Sequence, residues 1–112
     1  MLVSSGNLFE QARGDRRQEI ATVLVNGPNL RIERIISLGQ ESAPGFWYDQ
    51  PWAECVALLA GSAGMRFEGE TGVRALAPGD YFLIPAHRKH RVEWTSKDTP
   101  AIWLAVHFPD FE

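Results

Sequence analysis

Two ionisable side chains, Glu54 and His90, lie in stretches that are apolar at every second position. Side chains alternate between the two faces of a β-strand, so Glu54 shares a face with Val56 and Leu58. By the same rule His90 shares a face with Val92 and Trp94. Both ionisable groups are therefore predicted to point into the interior, where a carboxylate is costly unless it is paired or bound to a metal.

Carboxylate oxygen and neutral imidazole nitrogen are ordinary ligands of Zn, Fe, Ni or Mn, so the pair predicts a divalent transition metal. Most protein metal sites supply three or four ligands, and a third could come from Gln50, Asp49 or His87. Asp49 is the better ligand chemically because it is anionic. The alternative is a Glu54–His90 hydrogen-bonded pair without a metal, and the residues alone leave both interpretations open.

Other side chains are candidates for a substrate pocket. In strict alternation Arg34 shares a face with Ile32 and Ile36. An inward Arg34 would bind a carboxylate or phosphate ligand with its planar fork, whereas a β-bulge would turn it outward. Trp94 and Trp103 either line the pocket or pack in the core.

The remaining reactive residues suggest no further chemistry. Cys55 follows Glu54 and so faces the opposite way, where we expect a small buried hydrophobe and not a nucleophile. His107 is expected to be structural or exposed. No Ser-His-Asp order and no phosphate loop stands out.

The elements that must position these residues are short strands separated by dense Gly and Pro punctuation, which is typical of an antiparallel sandwich or barrel. A helix over 17–25 is disfavoured by its β-branched residues. We predict an all-β protein of about nine strands, at Ile20–Val25, Leu30–Ser37, Phe46–Tyr48, Ala53–Ala60, Met65–Glu68, Val73–Leu76, Tyr81–Ile84, His90–Thr95 and Ala101–Phe108.

Length and composition limit the function classes. The 112 residues fit one domain over 1–112, with an irregular lead-in at 1–18. A net charge of −3 argues against nucleic acid as a partner. The longest apolar run, 55–60, is too short to cross a bilayer, so no membrane association is expected. One cysteine and no visible secretory signal favour the cytoplasm.

One spacing in the sequence resembles the second motif of the cupin family, G-x5-P-x-G-x2-H-x3-N. Gly79, Pro85 and His90 occupy the first Gly, the Pro and the metal-site His. His87 replaces the second Gly, and Trp94 replaces the Asn. The match is fairly specific and includes the residue already selected on physical grounds.

The first cupin motif, G-x5-H-x-H-x3-4-E-x6-G, is matched only in its second half, by Glu54 and Gly61. Its opening Gly is absent. The shorter spacer puts the two His positions on Tyr48 and Gln50. The longer spacer puts them on Trp47 and Asp49.

The resemblance covers residues 30–108 and implies a jelly-roll cupin β-barrel of antiparallel strands with one internal pocket. It implies that Glu54 and His90 stand at metal positions, with Gln50 in better register than Asp49 and Tyr48 in the pocket. A homodimer with a small-molecule ligand is expected, the ligand being anionic if Arg34 reaches it. Two functions follow: a metal-dependent enzyme such as an oxygenase or isomerase, or a non-catalytic ligand-binding or sensor cupin that has lost its metal.

Overall fold

The computed structural model describes residues 2–111, and this part of the chain contains eight strands and no helix. Accordingly, no helix in it is long and apolar enough to span a membrane. The strands are β1 (Ile20–Asn26), β2 (Arg31–Ser37), β3 (Ala53–Ala60), β4 (Ala63–Phe67), β5 (Arg74–Leu76), β6 (Tyr81–Ile84), β7 (His90–Thr95) and β8 (Ala101–Phe108).

The strands form two antiparallel sheets. One has five strands in the order β1-β2-β8-β3-β6, and the other has three in the order β5-β4-β7. Consecutive strands often lie in different sheets, as β3 and β4 do, which is the connectivity of a jelly roll. Between β3 and β4 the chain turns at Gly61, whose φ is +77°, and a Cβ there would meet Pro100 O at 2.5 Å. Gly61 is the glycine that closes the first motif.

The core lies between the inner faces of the two sheets. Leu58 and Trp103 come from the large sheet and Met65 and Phe67 from the small one, and each is at most 6% exposed. Burial of apolar side chains on these inner faces is the main stabilising contribution that the fold offers. The faces of β3 and of the start of β7 that the sequence predicts to point inward are therefore the faces that meet the core.

One predicted strand is wrong. Residues 46–48 form no strand, because Phe46 N–H donates to Ala43 O (3.0 Å) and closes a turn. Only Tyr48 reaches a sheet, through an isolated antiparallel bridge to His90. The segment thus crosses the end of β7 and brings Tyr48 close to the predicted metal-site histidine.

Arg34 does not enter the interior. Glu33 and Ile35 are the β2 residues that line the space between the sheets. Arg34 points to the opposite face and donates hydrogen bonds to Leu8 O (3.2 Å) and Glu10 O (2.6 Å) of the lead-in. The prediction failed because the lead-in covers the outer face of β2. Apolar residues therefore occur on both faces of this strand, and alternation alone does not show which face points inward.

Candidate metal and ligand site

A cavity of about 180 Å³ opens between the two sheets. Strands β1, β2, β3 and β8 supply one wall, and β4 and β7 supply the other. It is smaller than the roughly 300–1,000 Å³ typical of pockets for drug-sized ligands, so its occupant must be small. The lining residues are Glu19, Ala21, Glu33, Ile35, Tyr48, Gln50, Glu54, Val56, Met65, His90, Val92, Trp103 and His107.

Glu54 stands near the start of β3, on the face that also carries Val56. The residue is only 8% exposed. No hydrogen bond from residues 2–111 reaches its carboxylate, and its Oε1 lies 3.7 Å from His90 Nε2. A carboxylate that is nine-tenths buried without a hydrogen bond is costly unless a cation or a proton lies beside it.

His90 opens β7 and is 3% exposed. Its Nδ1 lies 2.8 Å from Arg88 O. A carbonyl oxygen can only accept, so Nδ1 carries the proton and donates. In the neutral ring Nε2 is then the acceptor, and this lone pair faces the Glu54 carboxylate. Two acceptors that face each other in a closed space create a position for a cation.

Tyr48 and Gln50 also line the cavity. The Tyr48 ring stacks on the His90 ring with centroids 5.4 Å apart and planes at 23°. Burial first, and then the negative charges of Glu19, Glu54 and Glu33, raise the pKa of Tyr48. Gln50 lines the same cavity. The shorter spacer of the first motif puts the two histidine positions on Tyr48 and Gln50. These are the residues that line the cavity.

Asp49 and His87 lie outside the cavity, so the positions predicted for them are wrong. They contact each other at the surface, His87 Nδ1 to Asp49 Oδ1 at 2.8 Å, with side chains 69% and 42% exposed. The His87 backbone N–H donates to Gln50 O (2.7 Å) in a turn where His87 has φ +62°. The sequence could not show this arrangement, because residues 46–50 form only an isolated bridge at Tyr48, so the alternation rule for strands does not apply to them.

Trp94 also lies outside the cavity. Met65 pairs with Val92 but Gly64 pairs with Trp94, so Glu93 is the extra residue of a β-bulge. The bulge reverses the alternation and turns Trp94 to the outer face, where it is 40% exposed. Its indole occupies the space that a side chain at Gly64 would take. Trp103, in contrast, lines the cavity and is 4% exposed.

Sequence reasoning missed a second polar group in the cavity, formed by Glu33 and His107. The Trp52 indole N–H can only donate, so His107 Nδ1 accepts from it (2.9 Å) and Nε2–H donates to Glu33 Oε1 (3.2 Å). Arg31 also contacts Glu33 Oε2, at 3.5 Å. The signal in the sequence was alternation along the last strand, which puts His107 on the same face as Trp103 and Ala105. In the structure His107 lies directly opposite Glu54 across β3 and β8.

Glu19 stands at the rim of the cavity, just before β1. Its carboxylate accepts a hydrogen bond from Ser37 Oγ at 2.9 Å. Desolvation raises the pKa of Glu19, the Ser37 hydrogen bond opposes that change, and repulsion from Glu33 adds to it. The residue as a whole is exposed at the rim of the cavity.

The cavity is strongly acidic. Three carboxylates line it, and no Lys or Arg side chain among residues 2–111 does. A divalent cation would offset part of this charge and occupy the place between Glu54 and His90. The 3.7 Å from oxygen to nitrogen is within the span of about 4.2 Å that two ligands at about 2.1 Å from one ion can bridge.

The donor set fits a divalent transition metal, but it is a small set. Residues 2–111 contain no group of three His, Cys, Asp or Glu side chains that could hold an ion. A further donor in the cavity lining is the neutral amide oxygen of Gln50. Together with Glu54 and His90 it offers one anionic and two neutral ligands, a combination compatible with Zn, Fe, Ni or Mn.

Several solved structures are similar to this chain. A protein of Ralstonia eutropha JMP134 called a "putative mannose-6-phosphate isomerase" is 48% identical, with a TM-score of 0.92 over 96% of this chain and 99% of that one. A cupin superfamily protein of Desulfitobacterium hafniense DCB-2 is 18% identical, with a TM-score of 0.73 over 89% and 88% of the two chains. KdgF of Halomonas sp. is 20% identical, with a TM-score of 0.67 over 83% and 82%.

The two more distant structures show the fold alone. No curated protein matches the sequence. The family model described as "Cupin domain" matches residues 35–107, which include Glu54, His90 and most of the cavity wall. The chain therefore belongs to the cupin family.

Proposed function

We propose that the cavity binds a divalent transition-metal cation through Glu54 and His90, with Gln50 as a third donor. The observation that carries this proposal is the arrangement of His90. Its Nδ1–H is committed to Arg88 O, and its Nε2 faces a buried carboxylate that has no hydrogen bond within residues 2–111. A cation between the two acceptors would remove the cost of burying both.

A small molecule is proposed to complete the coordination of the metal. The protein donors are few, so coordination positions remain for a ligand in the rest of the cavity. A metal in this place supplies Lewis-acid chemistry to such a ligand. An oxygenase or an isomerase would both use that chemistry, and the site geometry favours neither.

The charge of the cavity argues against an anionic ligand, although the sequence had suggested one. Arg34, which was to hold the anion, lies on the outer face, and the lining carries three carboxylates. A sugar phosphate would meet repulsion from these groups. The name of the Ralstonia neighbour is therefore a poor guide to this ligand, and we propose a neutral or cationic small molecule.

A metal-free cupin that binds a small ligand is the second candidate. It is favoured by the first motif, where Tyr48 and Gln50 stand in place of the two histidines. In this case a proton shared between Glu54 and His90 would replace the metal.

Metal analysis distinguishes the two candidates. Protein grown in medium supplemented with Zn, Mn, Fe and Ni is expected to retain about one equivalent of metal, as a single site requires. Glu54→Gln and His90→Ala should lose it, because each removes a ligand. Asp49→Asn and His87→Ala are matched controls with the same side-chain types outside the cavity, and they should keep it. Absence of metal from the wild type would support the metal-free candidate. Equal loss in the controls would contradict the proposed site, because it would place the metal at the surface pair of Asp49 and His87.

A further inference from the structure

A second pocket, of about 390 Å³, adjoins the acidic cavity at the open end of the sheets. His107 belongs to the lining of both spaces. The pocket lies beneath the turn between β1 and β2, where Gly27 N–H donates to Leu30 O at 2.7 Å. Its volume is within the range of about 300–1,000 Å³ that small organic ligands occupy.

The two pockets differ in charge. Three carboxylates line the first, whereas within residues 2–111 no Asp or Glu lines the second, and Arg31 does. The Arg31 side chain is 52% exposed, and its contact with Glu33 is long, at 3.5 Å. Most of its five N–H donors thus remain for a ligand, and the planar fork of an arginine matches a carboxylate.

Apart from Arg31, Asn29 and His107, the residues that line the second pocket are apolar. Three prolines, Pro28, Pro51 and Pro109, line it together with Trp52. The indole N–H of Trp52 donates to His107 Nδ1, and the two rings meet edge to face at 89°. These contacts fix the orientation of the indole, which is still 42% exposed. A fixed, exposed aromatic face among prolines is a surface on which a planar ring can stack.

We propose that this second pocket binds a small aromatic carboxylate, with the ring on Trp52 and the carboxylate on Arg31. Pre-ordering of the indole by His107 lowers the entropy cost of binding. The site is independent of the proposed metal, because neither Arg31 nor Trp52 lines the acidic cavity. A bound ring would nevertheless contact His107, whose other nitrogen holds Glu33 inside that cavity.

The test is titration of the full chain with benzoate, followed through the indole N–H signals of the four tryptophans in NMR spectra. Benzoate should shift the Trp52 signal, which is identified by its loss in Trp52→Phe. Arg31→Gln should weaken binding about tenfold or more, as expected when a charge-assisted contact is removed. Trp94→Phe is the matched control, since Trp94 has similar exposure (40%) but lies outside both pockets.

Two comparisons make the test decisive. Benzamide, which has the ring but no charge, should bind at least about tenfold more weakly than benzoate. The benzoate titration should give the same result with and without a metal chelator, so its outcome is separate from that of the metal proposal. No shift at Trp52, a shift mainly at Trp94, or equal binding of benzamide would overturn the proposal.

Discussion

The three histidines of the chain differ in what their ring nitrogens face. His107 has both nitrogens occupied, by Trp52 and Glu33, and His87 contacts Asp49 at the surface. His90 has one nitrogen committed to a carbonyl, and the other faces Glu54 inside the cavity. Among the described residues, His90 is therefore the histidine whose lone pair is available to a ligand in the cavity.

The raised pKa of Glu19 predicts a pH dependence of stability at the residue scale. A carboxyl group whose pKa is raised on folding binds its proton more tightly in the folded state, so its contribution to stability is lost as pH rises from its usual value through the raised one. Glu19→Gln removes this loss while keeping an acceptor for Ser37. We expect the variant to gain stability relative to the wild type between acidic and neutral pH.

Urea unfolding of metal-free protein, at a pH near 4 and again near 7, measures this effect. The difference in unfolding free energy between Glu19→Gln and wild type should be more favourable to the variant at the higher pH. Glu68→Gln is the control, because its side chain is 53% exposed and does not line the cavity. A difference that does not change with pH, or that changes in the opposite direction, would contradict the assignment.

At the scale of elements, strict alternation predicted the inward face of β3 and of the start of β7. It placed Glu54 on β3 and His90 on β7 correctly. It failed for Trp94, where a bulge shifts the register, and for Arg34, where both faces of β2 are covered. A bulge and a covering segment depend on tertiary contacts, so alternation within one strand carries no sign of them.

The lead-in is held to the outer face of β2 by Arg34, and removal of this contact is expected to release it. Arg34→Ala leaves the carbonyls of Leu8 and Glu10 without their donor and should cost about 1–2 kcal/mol of unfolding free energy. Hydrogen exchange should rise in residues 7–11, whereas metal content should not change.

Arg17→Ala is the control for that experiment, because Arg17 is 88% exposed and pairs only with nearby Asp15. It should leave both exchange and stability unchanged. If Arg34→Ala instead abolished ligand or metal binding while the lead-in stayed protected, Arg34 would belong to the pocket as the sequence first suggested.

At the scale of the whole molecule, the cupin fold was predictable because parts of both motifs are present at the expected intervals. Gly79, Pro85 and His90 match the second motif, and Glu54 and Gly61 match the second half of the first. The second pocket was not predictable. It is assembled from three segments that lie far apart in the chain and meet only when the sheets form.

The large sheet has two edge strands, β1 and β6, and we propose that β1 pairs with a second copy of the chain. Three consecutive apolar residues of β1, Val23, Leu24 and Val25, are 43–47% exposed. An apolar, seven-residue edge strand is a template for pairing with another chain. Coverage by a symmetric copy would bury these side chains and close the edge.

Light scattering after size exclusion tests the dimer. Wild type should have twice the 12.5 kDa chain mass, and Leu24→Lys should shift it towards the monomer. Leu83→Lys is the matched control, since Leu83 is 48% exposed on the opposite edge strand β6. A monomeric wild type, or dissociation by the Leu83 variant alone, would place the interface elsewhere or remove it.

The most direct test of the proposed metal site is the effect of added Zn²⁺ on the imidazole nitrogens of the three histidines, observed in long-range proton–nitrogen NMR spectra of metal-free protein. His90 Nε2 is expected to shift to a metal-bound position, His90 Nδ1 to keep its proton, and His107 to be unchanged. In Glu54→Gln the shift should require more Zn²⁺. A shift at His87 in place of His90, or no shift at His90 at saturating Zn²⁺, would contradict the proposed site.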